Sequence, residues 1–423
     1  MDKMPTVAVW GLGKMGLPLA CVFADKGFPV TGIDIDAQRV EAINRGINPI
    51  PEEPGLSDLL SSVIRKKTFT ATVHPFPAHL HIIIIPIMLT DGKADFSILT
   101  EVTRTIASQL RKEDIVILES TAPPGTCQHV LLPILETSGL QAGKDFGMAH
   151  CPERTMSGTA LQDITGSYPK IIGASDTRTA ETLEDIYSHI NSQGILLMKD
   201  MRTAEAVKVF EGVYRDVNIA LANELALYCE EMGIDVREVI QAANSQPYSH
   251  IHNPGVGVGG HCIPVYPYFI ISENTPLMRT ARTLNESMPA HAVDLAEALL
   301  HKKEIELSEA RILLLGISFR AGVKEERLSP FFVVRNLLKK RGAHIFAYDP
   351  LYSLKEIELF DVIYKKDFKD IDCIILLTEA SEFKNLDWDH IYREGVKVIV
   401  DGRNMLSRTS MESIGFAYTG IGT

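Results

Sequence analysis

Val7-Ala8-Val9-Trp10-Gly11-Leu12-Gly13-Lys14-Met15-Gly16 is the stretch from which the fold of this chain can be read. Four apolar residues fit a buried strand, three glycines follow at GxGxxG spacing, and an apolar helical pattern begins at once. The next strand pattern, Val30–Ile33, runs into Asp34. Gly11 permits the tight turn, Gly13 lets backbone approach a pyrophosphate, and Gly16 allows the helix to pack closely. The helix start would offer N–H donors and a positive dipole to phosphate. Asp34 would bond a ribose diol and repel a 2′-phosphate, so the expected cofactor is NAD. The alternative is a structural βαβ turn with no ligand.

Outward from that turn, short apolar runs alternate with helical patterns. Candidate strands are Thr6–Trp10, Val30–Ile33, His81–Ile85, Ile115–Leu118, Gly147–His150, Lys170–Gly173 and Gly194–Met198. The alternation predicts an α/β fold with a mostly parallel sheet. From Thr203 to about Gly233 the pattern becomes one long helix, with Ala204, Val207, Phe210, Tyr214, Val217 and Leu221 at spacings of three and four. At 1.5 Å per residue it would reach about 45 Å, enough to connect two lobes and to build a dimer interface. Helical signals return at Asp235–Ala243 and Pro289–His301, on either side of a Gly/Pro-rich loop at Asn253–Pro267. A second α/β region opens with strand Arg311–Gly316. It continues with a helix over Pro330–Lys340 and strands at His344–Tyr348, Asp372–Leu377 and Val396–Val400. The expected architecture is two Rossmann-like domains with parallel sheets, joined by a long central helix and a helical dimerisation region. The domains would span 1–201, 202–305 and 306–423.

Composition limits what such a chain can bind. It has 423 residues and a formal net charge of −12, which argues against nucleic acid or anionic membranes as partners. Cations that hold an anionic ligand must therefore be local. The six cysteines, at 21, 127, 151, 229, 262 and 373, form no CxxC pair and no Cys/His group at zinc spacing. Free thiols in a reducing compartment are expected, and no metal. The start, Met1-Asp2-Lys3-Met4-Pro5, lacks the apolar core of a signal peptide, so a cytoplasmic protein is expected.

One cysteine differs from the others in its setting. Gly255-Val256-Gly257-Val258-Gly259-Gly260-His261-Cys262-Ile263-Pro264 puts four glycines before Cys262, where backbone can approach a ligand and N–H groups can converge. Beside an NAD site this suggests covalent aldehyde oxidation, in which a thiolate adds to a carbonyl before hydride leaves. A packed thiol beside a structural glycine loop is the competing reading. For the other five cysteines, packing is the expectation.

These motifs continue along nearly the whole chain. They include Ser120-Thr121-Ala122-Pro123-Pro124-Gly125-Thr126, Cys151-Pro152-Glu153-Arg154, Ala204-Glu205-Ala206-Val207-Lys208 and Arg215-Asp216-Val217-Asn218-Ile219-Ala220. Gly259-Gly260-His261-Cys262-Ile263-Pro264, Arg327-Leu328-Ser329-Pro330 and Asp401-Gly402-Arg403 complete the series. With them the sequence resembles the nucleotide-sugar 6-dehydrogenases, and among these the UDP-N-acetylhexosamine branch. The resemblance implies oxidation of a UDP-sugar C6 alcohol to the uronic acid with two NAD. It implies Cys262 as nucleophile through a thiohemiacetal and thioester, with Lys208 stabilising the oxyanion and Glu153 and Thr121 serving water. It extends the cofactor set of Gly11, Gly13, Lys14, Met15, Gly16 and Asp34 with Arg39, Ser120, Thr121 and Arg327. The UDP-sugar would meet Arg154, Lys208, Arg215, Asn218, Gly259, Gly260, His261, Phe319, Arg320 and Arg403, and a homodimer would form through the central helices.

Four positions depart from the family pattern. Tyr266 stands where the family has Asp, Gly212 where it has Asn, Ser157 where the UDP-glucose branch has Glu, and Tyr248 near a replaced Arg. A phenol is no base at neutral pH. UDP-glucose oxidation, a β-hydroxyacid dehydrogenase and a non-catalytic binder of NAD and UDP-sugar are the alternative readings.

Overall fold

The computed structural model describes residues 4–423. They form two compact units, one reaching to Glu211 and including Tyr268–Ile270, the other comprising Gly212–Pro267 and Ile271–Thr423.

In the first unit the strands are β1 (Val7–Trp10), β2 (Val30–Ile33), β3 (Phe69–Thr72) and β4 (Leu80–Ile83). A small antiparallel hairpin, β5 (Met88–Thr90) and β6 (Lys93–Asp95), stands outside the main sheet. The main sheet continues with β7 (Ile115–Leu118), β8 (Gly147–His150), β9 (Lys170–Ala174) and β10 (Ile195–Leu197). Its order is β10-β9-β8-β7-β4-β1-β2-β3, parallel except where β8 meets β9. Val7 and Val9 enter one core while Ala8 and Trp10 enter another, and β7 divides in the same way. Strands buried on both faces read as unbroken apolar runs, which is why sequence alone could find them.

The second unit repeats the plan. Its strands are β11 (Arg311–Leu315), β12 (His344–Tyr348), β13 (Ile363–Tyr364), β14 (Cys373–Leu376), β15 (Val398–Asp401) and β16 (Ala417–Gly420). All are parallel, in the order β13-β12-β11-β14-β15-β16. Each sheet reverses its winding beside its first strand, between β1 and β4 and between β11 and β14. Ligands bind at such switch points, outside the carboxyl ends of the strands.

The long helix spans Met201–Met232. Its buried face is small, with Ala204, Val209, Val213, Ala220, Ala222 and Ala226, whereas Phe210, Tyr214, Leu221, Tyr228 and Met232 are exposed. The helix expected to start at Pro289 begins instead at Pro276 and runs to His301 with Pro289 inside it. Proline removes one ladder N–H, but buried Pro289 packs on Gly257, whose own φ of +130° suits glycine. Strands β3, β13 and β16 and the hairpin escaped the sequence reading, because they are short, lie at edges or carry polar residues.

Candidate active site

In the first unit the glycine turn has the geometry its spacing predicts. Gly11 has φ +100°, and a Cβ there would stand 2.5 Å from the Ile84 carbonyl oxygen. A Cβ on Gly16 would collide with the Gly11 carbonyl, so only glycine lets the helix Gly16–Asp25 start so close to the turn. A Cβ on Gly13 would meet nothing within 4 Å, leaving open space on the face where a pyrophosphate would approach. These residues fit a dinucleotide. Asp34, nearly buried, accepts the Leu12 N–H at 2.8 Å and the Asp36 N–H at 3.0 Å, and pairs with Arg39 at 3.0 Å. The Asp34 carboxylate is thus already braced against the turn. Lys14 pairs with Glu52 at 3.3 Å, and the Met15 sulfur accepts the Thr155 hydroxyl at 2.8 Å. Ser120 Oγ takes the Ile85 N–H at 2.8 Å, tying the end of β4 to the segment after β7 that carries Thr121.

After β8 the chain turns through Cys151-Pro152-Glu153-Arg154. The Glu153 carboxylate accepts the Thr155 N–H, while Arg154 pairs with Glu211 at 2.6 Å and lies 4.7 Å from the Tyr168 ring centre. Glu153 and Arg154 line one pocket with Glu119, Lys170 and Tyr187. Glu119 is buried, pairs with Lys170 at 2.8 Å and accepts the Tyr187 hydroxyl. Burial raises its pKa and Lys170 opposes that. Sequence reading missed this group, whose only local signal was Glu119 beside Ser120-Thr121.

Lys208 is 4% exposed on the long helix, and among the described residues no acceptor takes its ammonium. A nearly buried cation without a partner is costly, so Lys208 is not a solvated helix residue. One turn earlier, Glu205 accepts the N–H groups of Gly125 and, at 2.7 Å, Cys127. Cys127, His150 and Glu205 bring ligand-type atoms together although no zinc spacing exists in the sequence. Both Glu205 oxygens are nonetheless engaged by backbone, and burial holds the Cys127 thiol well above its usual range.

In the second unit Cys262 is the one cysteine of six that is not buried. Burial pushes the Cys21 thiol up to about 12, and raises those of Cys151, Cys229 and Cys373. Gly259 and Gly260 lie on Phe319: a Cβ on Gly260 would be 3.0 Å from that ring. Gly260 N–H donates to the Arg327 carbonyl at 2.9 Å, and His261 meets Glu325 at 2.5 Å. Upstream, Gly255 N–H donates to Asn223 at 2.9 Å, and Asn223 donates to Asn285 at 2.9 Å. Asn285 in turn bonds Asp216 at 2.8 Å, and Arg282 pairs with Asp216 at 2.6 Å. All four side chains are buried, so this chain of bonds fixes the glycine loop to two helices. None was singled out from sequence for such a role, since polar residues on a helix carry no sign of what they face. Asn218, expected on the sugar, donates to the Tyr214 carbonyl of its own helix at 2.7 Å, and Arg215 is half-buried beside it.

At the carboxyl ends of the second sheet's strands, Phe319 and Arg320 follow β11 and Arg403 follows β15, beside the switch point. Arg403 Nε donates to the Leu377 carbonyl at 2.8 Å, and among the described residues no acceptor takes its two terminal nitrogens. That leaves the bidentate edge of the guanidinium for an anion. Of the four departures, Tyr248 is 91% exposed, whereas Gly212 and Tyr266 touch each other.

Three family models match in order: the UDP-glucose/GDP-mannose dehydrogenase family NAD binding domain at residues 5–191, its central domain at 202–288 and its UDP binding domain at 313–408. The chain belongs to this family. It is an NAD-dependent UDP-sugar dehydrogenase, with the fold of two Rossmann-like sheets read above. The UDP-N-acetyl-D-mannosamine dehydrogenase of Pyrococcus horikoshii is 36% identical over 423 residues, covering 98% of this chain and 99% of its own. A solved structure of the P. horikoshii enzyme superimposes with TM-score 0.90 at 35% identity, over 99% of both chains. The NDP-N-acetyl-D-galactosaminuronic acid dehydrogenase of Ralstonia nicotianae is 33% identical, over 95% of this chain and 96% of its own. Among the described residues no helix is long and apolar enough to cross a membrane.

Proposed function

We propose that this dehydrogenase oxidises the C6 alcohol of a UDP-N-acetylhexosamine, with UDP-N-acetylmannosamine the first choice, to the uronic acid. The observation that carries the chemistry is Cys262, the one thiol outside a core, at the end of a glycine loop. The curated relatives named above support the sugar class. NAD, when bound, accepts a hydride at each of the two oxidations. The alcohol loses a hydride and a proton to give the aldehyde, and the Cys262 sulfur adds to its carbon. The thiohemiacetal then loses the second hydride and its hydroxyl proton to give a thioester. Water attacks, the carboxylate forms, and the Cys262 thiolate leaves. The Lys208 ammonium, without an acceptor among the described residues, suits the oxyanion of these tetrahedral species. Glu153 and Thr121 are assigned to the water, Arg403 and Arg320 to the diphosphate.

The reading expects two NADH per UDP-N-acetylmannosamine consumed. Cys262→Ala should lower the overall four-electron rate by at least about 10³-fold. Wild-type enzyme that stops at one NADH with free aldehyde would contradict it. UDP-glucose serves as the competing substrate in the same assay.

The three-part division at 201 and 305 is retained as the functional one, with the cytoplasm as the compartment that supplies NAD and keeps thiols reduced. A homodimer through the long helix is supported by its exposed stripe of Phe210, Tyr214, Leu221, Tyr228 and Met232. Leu221→Glu with Tyr228→Glu should yield monomers in sedimentation; a dimer that survives both changes would move the interface elsewhere.

A further inference from the structure

Gly212 lies buried in the middle of the long helix, where alanine would ordinarily be the better helix former. A Cβ at this position would run into the Tyr266 ring, with the ring's Cγ and the Tyr266 Cβ each 3.2 Å away. Tyr266 is 7% exposed, so its ring is seated in the notch that the glycine leaves. The backbone joins that ring to the reactive thiol. The Cys262 carbonyl accepts the Val265 N–H at 3.1 Å and the Tyr266 N–H at 2.9 Å, closing one tight turn from Cys262 to Tyr266. On the other side of Cys262, Gly260 is held by the Arg327 carbonyl and the face of Phe319.

We propose that Gly212 and Tyr266 act as one unit, a notch and a ring, that sets the position of Cys262 through the Cys262–Tyr266 turn. The thiol is thus suspended between two anchors, Phe319 with Arg327 before it and Gly212 with Tyr266 after it. Tyr266 and Gly212 are positioning residues, acting on the reaction through Cys262. The two departures from the family pattern at these positions are a single change, because a side chain at 212 and an aromatic ring at 266 exclude each other. Well-packed rings have no free volume into which to retreat.

The inference rests on the reading of Cys262 as nucleophile, and its test separates the two. Gly212→Ala, Tyr266→Ala and the double variant are compared by kcat and KM for UDP-N-acetylmannosamine with NAD, and by the rate at which iodoacetamide alkylates Cys262. A change of about 1 Å in a reacting group can cost on the order of 10²-fold. Gly212→Ala should therefore lower kcat by at least about tenfold and shift the alkylation rate, with KM for NAD unmoved. In the Tyr266→Ala background the ring atoms are gone and only the residue-266 Cβ remains, 3.2 Å from the added methyl, so the same change should cost less than about threefold. Equal costs of Gly212→Ala in both backgrounds, or wild-type kcat and alkylation in Gly212→Ala, would overturn the proposal. If Gly212→Ala alone fails to fold, a folded double variant supports the seat and an unfolded one overturns it. Should the wild type form no NADH from any UDP-sugar, the catalytic reading fails while the alkylation rates still decide the seat.

Discussion

The two sheets share a parallel strand order over six strands, and each places a carboxylate one residue beyond its second strand. Asp34 follows β2 and takes the Leu12 N–H at 2.8 Å; Asp349 follows β12 and takes those of Ile317 and Ser318 at 2.7 and 3.1 Å. The two crevices nonetheless offer opposite chemistry to an anion. In the first unit the helix starts at Gly16, directly after the turn and without a side-chain cap, so the glycine turn and the positive end of the helix are what the crevice offers an anion. In the second, residues 316–329 intervene before the helix Pro330–Lys340, which begins with a proline and is capped by buried Ser329. That helix start is already satisfied and cannot cradle phosphate. On the proposed reading the cation comes from a side chain, Arg403 at the end of β15, whose Nε is held by the Leu377 carbonyl. One topology thus handles two nucleotides in two ways, and the length of the first connection decides which.

The largest expected effect separates the units by acid. His81 and His150 are fully buried in the first unit, and burial lowers their pKa values from 6.5 to about 4 and about 3. The fold therefore favours the neutral rings. This stability is complete above pH 6.5 and is lost as the pH falls toward those values. At pH 5 each ring should cost about 2 kcal/mol, or about 4 kcal/mol together. The chain has two tryptophans, Trp10 in the first unit and Trp388 in the second. Fluorescence of Trp388→Phe should thus report acid unfolding at higher pH than that of Trp10→Phe. Coincident transitions would erase the difference.

Next in size is the cation. Arg403→Ala should raise KM for the UDP-sugar by roughly 10- to 100-fold, the worth of a charge-assisted pair, while KM for NAD stays within about twofold. An equal rise in both would mean that the second crevice does not hold the sugar nucleotide. The smallest effect belongs to the first crevice. Asp34→Ala should raise KM for NAD about tenfold and narrow the preference over NADP, with KM for the sugar unchanged. Because Asp34 also braces Leu12, Asp34→Asn should recover part of the loss; no recovery would assign the residue to the ribose alone.

Much of the candidate site could be read in the chain because its elements are local. Gly11, Gly13 and Gly16 sit on one turn, and the cysteine follows its glycines directly. What escaped depends on distance along the chain. Asp216, Asn223, Arg282 and Asn285 are ordinary polar helix residues until the fold buries them against one another. The expectation for Asn218 pointed to the sugar, and the structure shows it bonded to its own helix, an option always open to Asn. The long helix was legible as a helix, yet its large apolar residues face outward and its small ones inward, which periodicity alone does not distinguish.

The sequence by itself determined the α/β alternation, the dinucleotide turn with Asp34, the single cysteine in a glycine loop and the family to which these belong. Periodicity and turn chemistry act over a few residues, so one chain suffices to show them. Only the tertiary structure decided that Cys262 alone among the thiols escapes burial, that Arg403 keeps its terminal nitrogens unused among the described residues, and that Gly212 meets Tyr266. These are properties of surfaces brought together from distant segments. Burial and close packing exist only once the chain has folded.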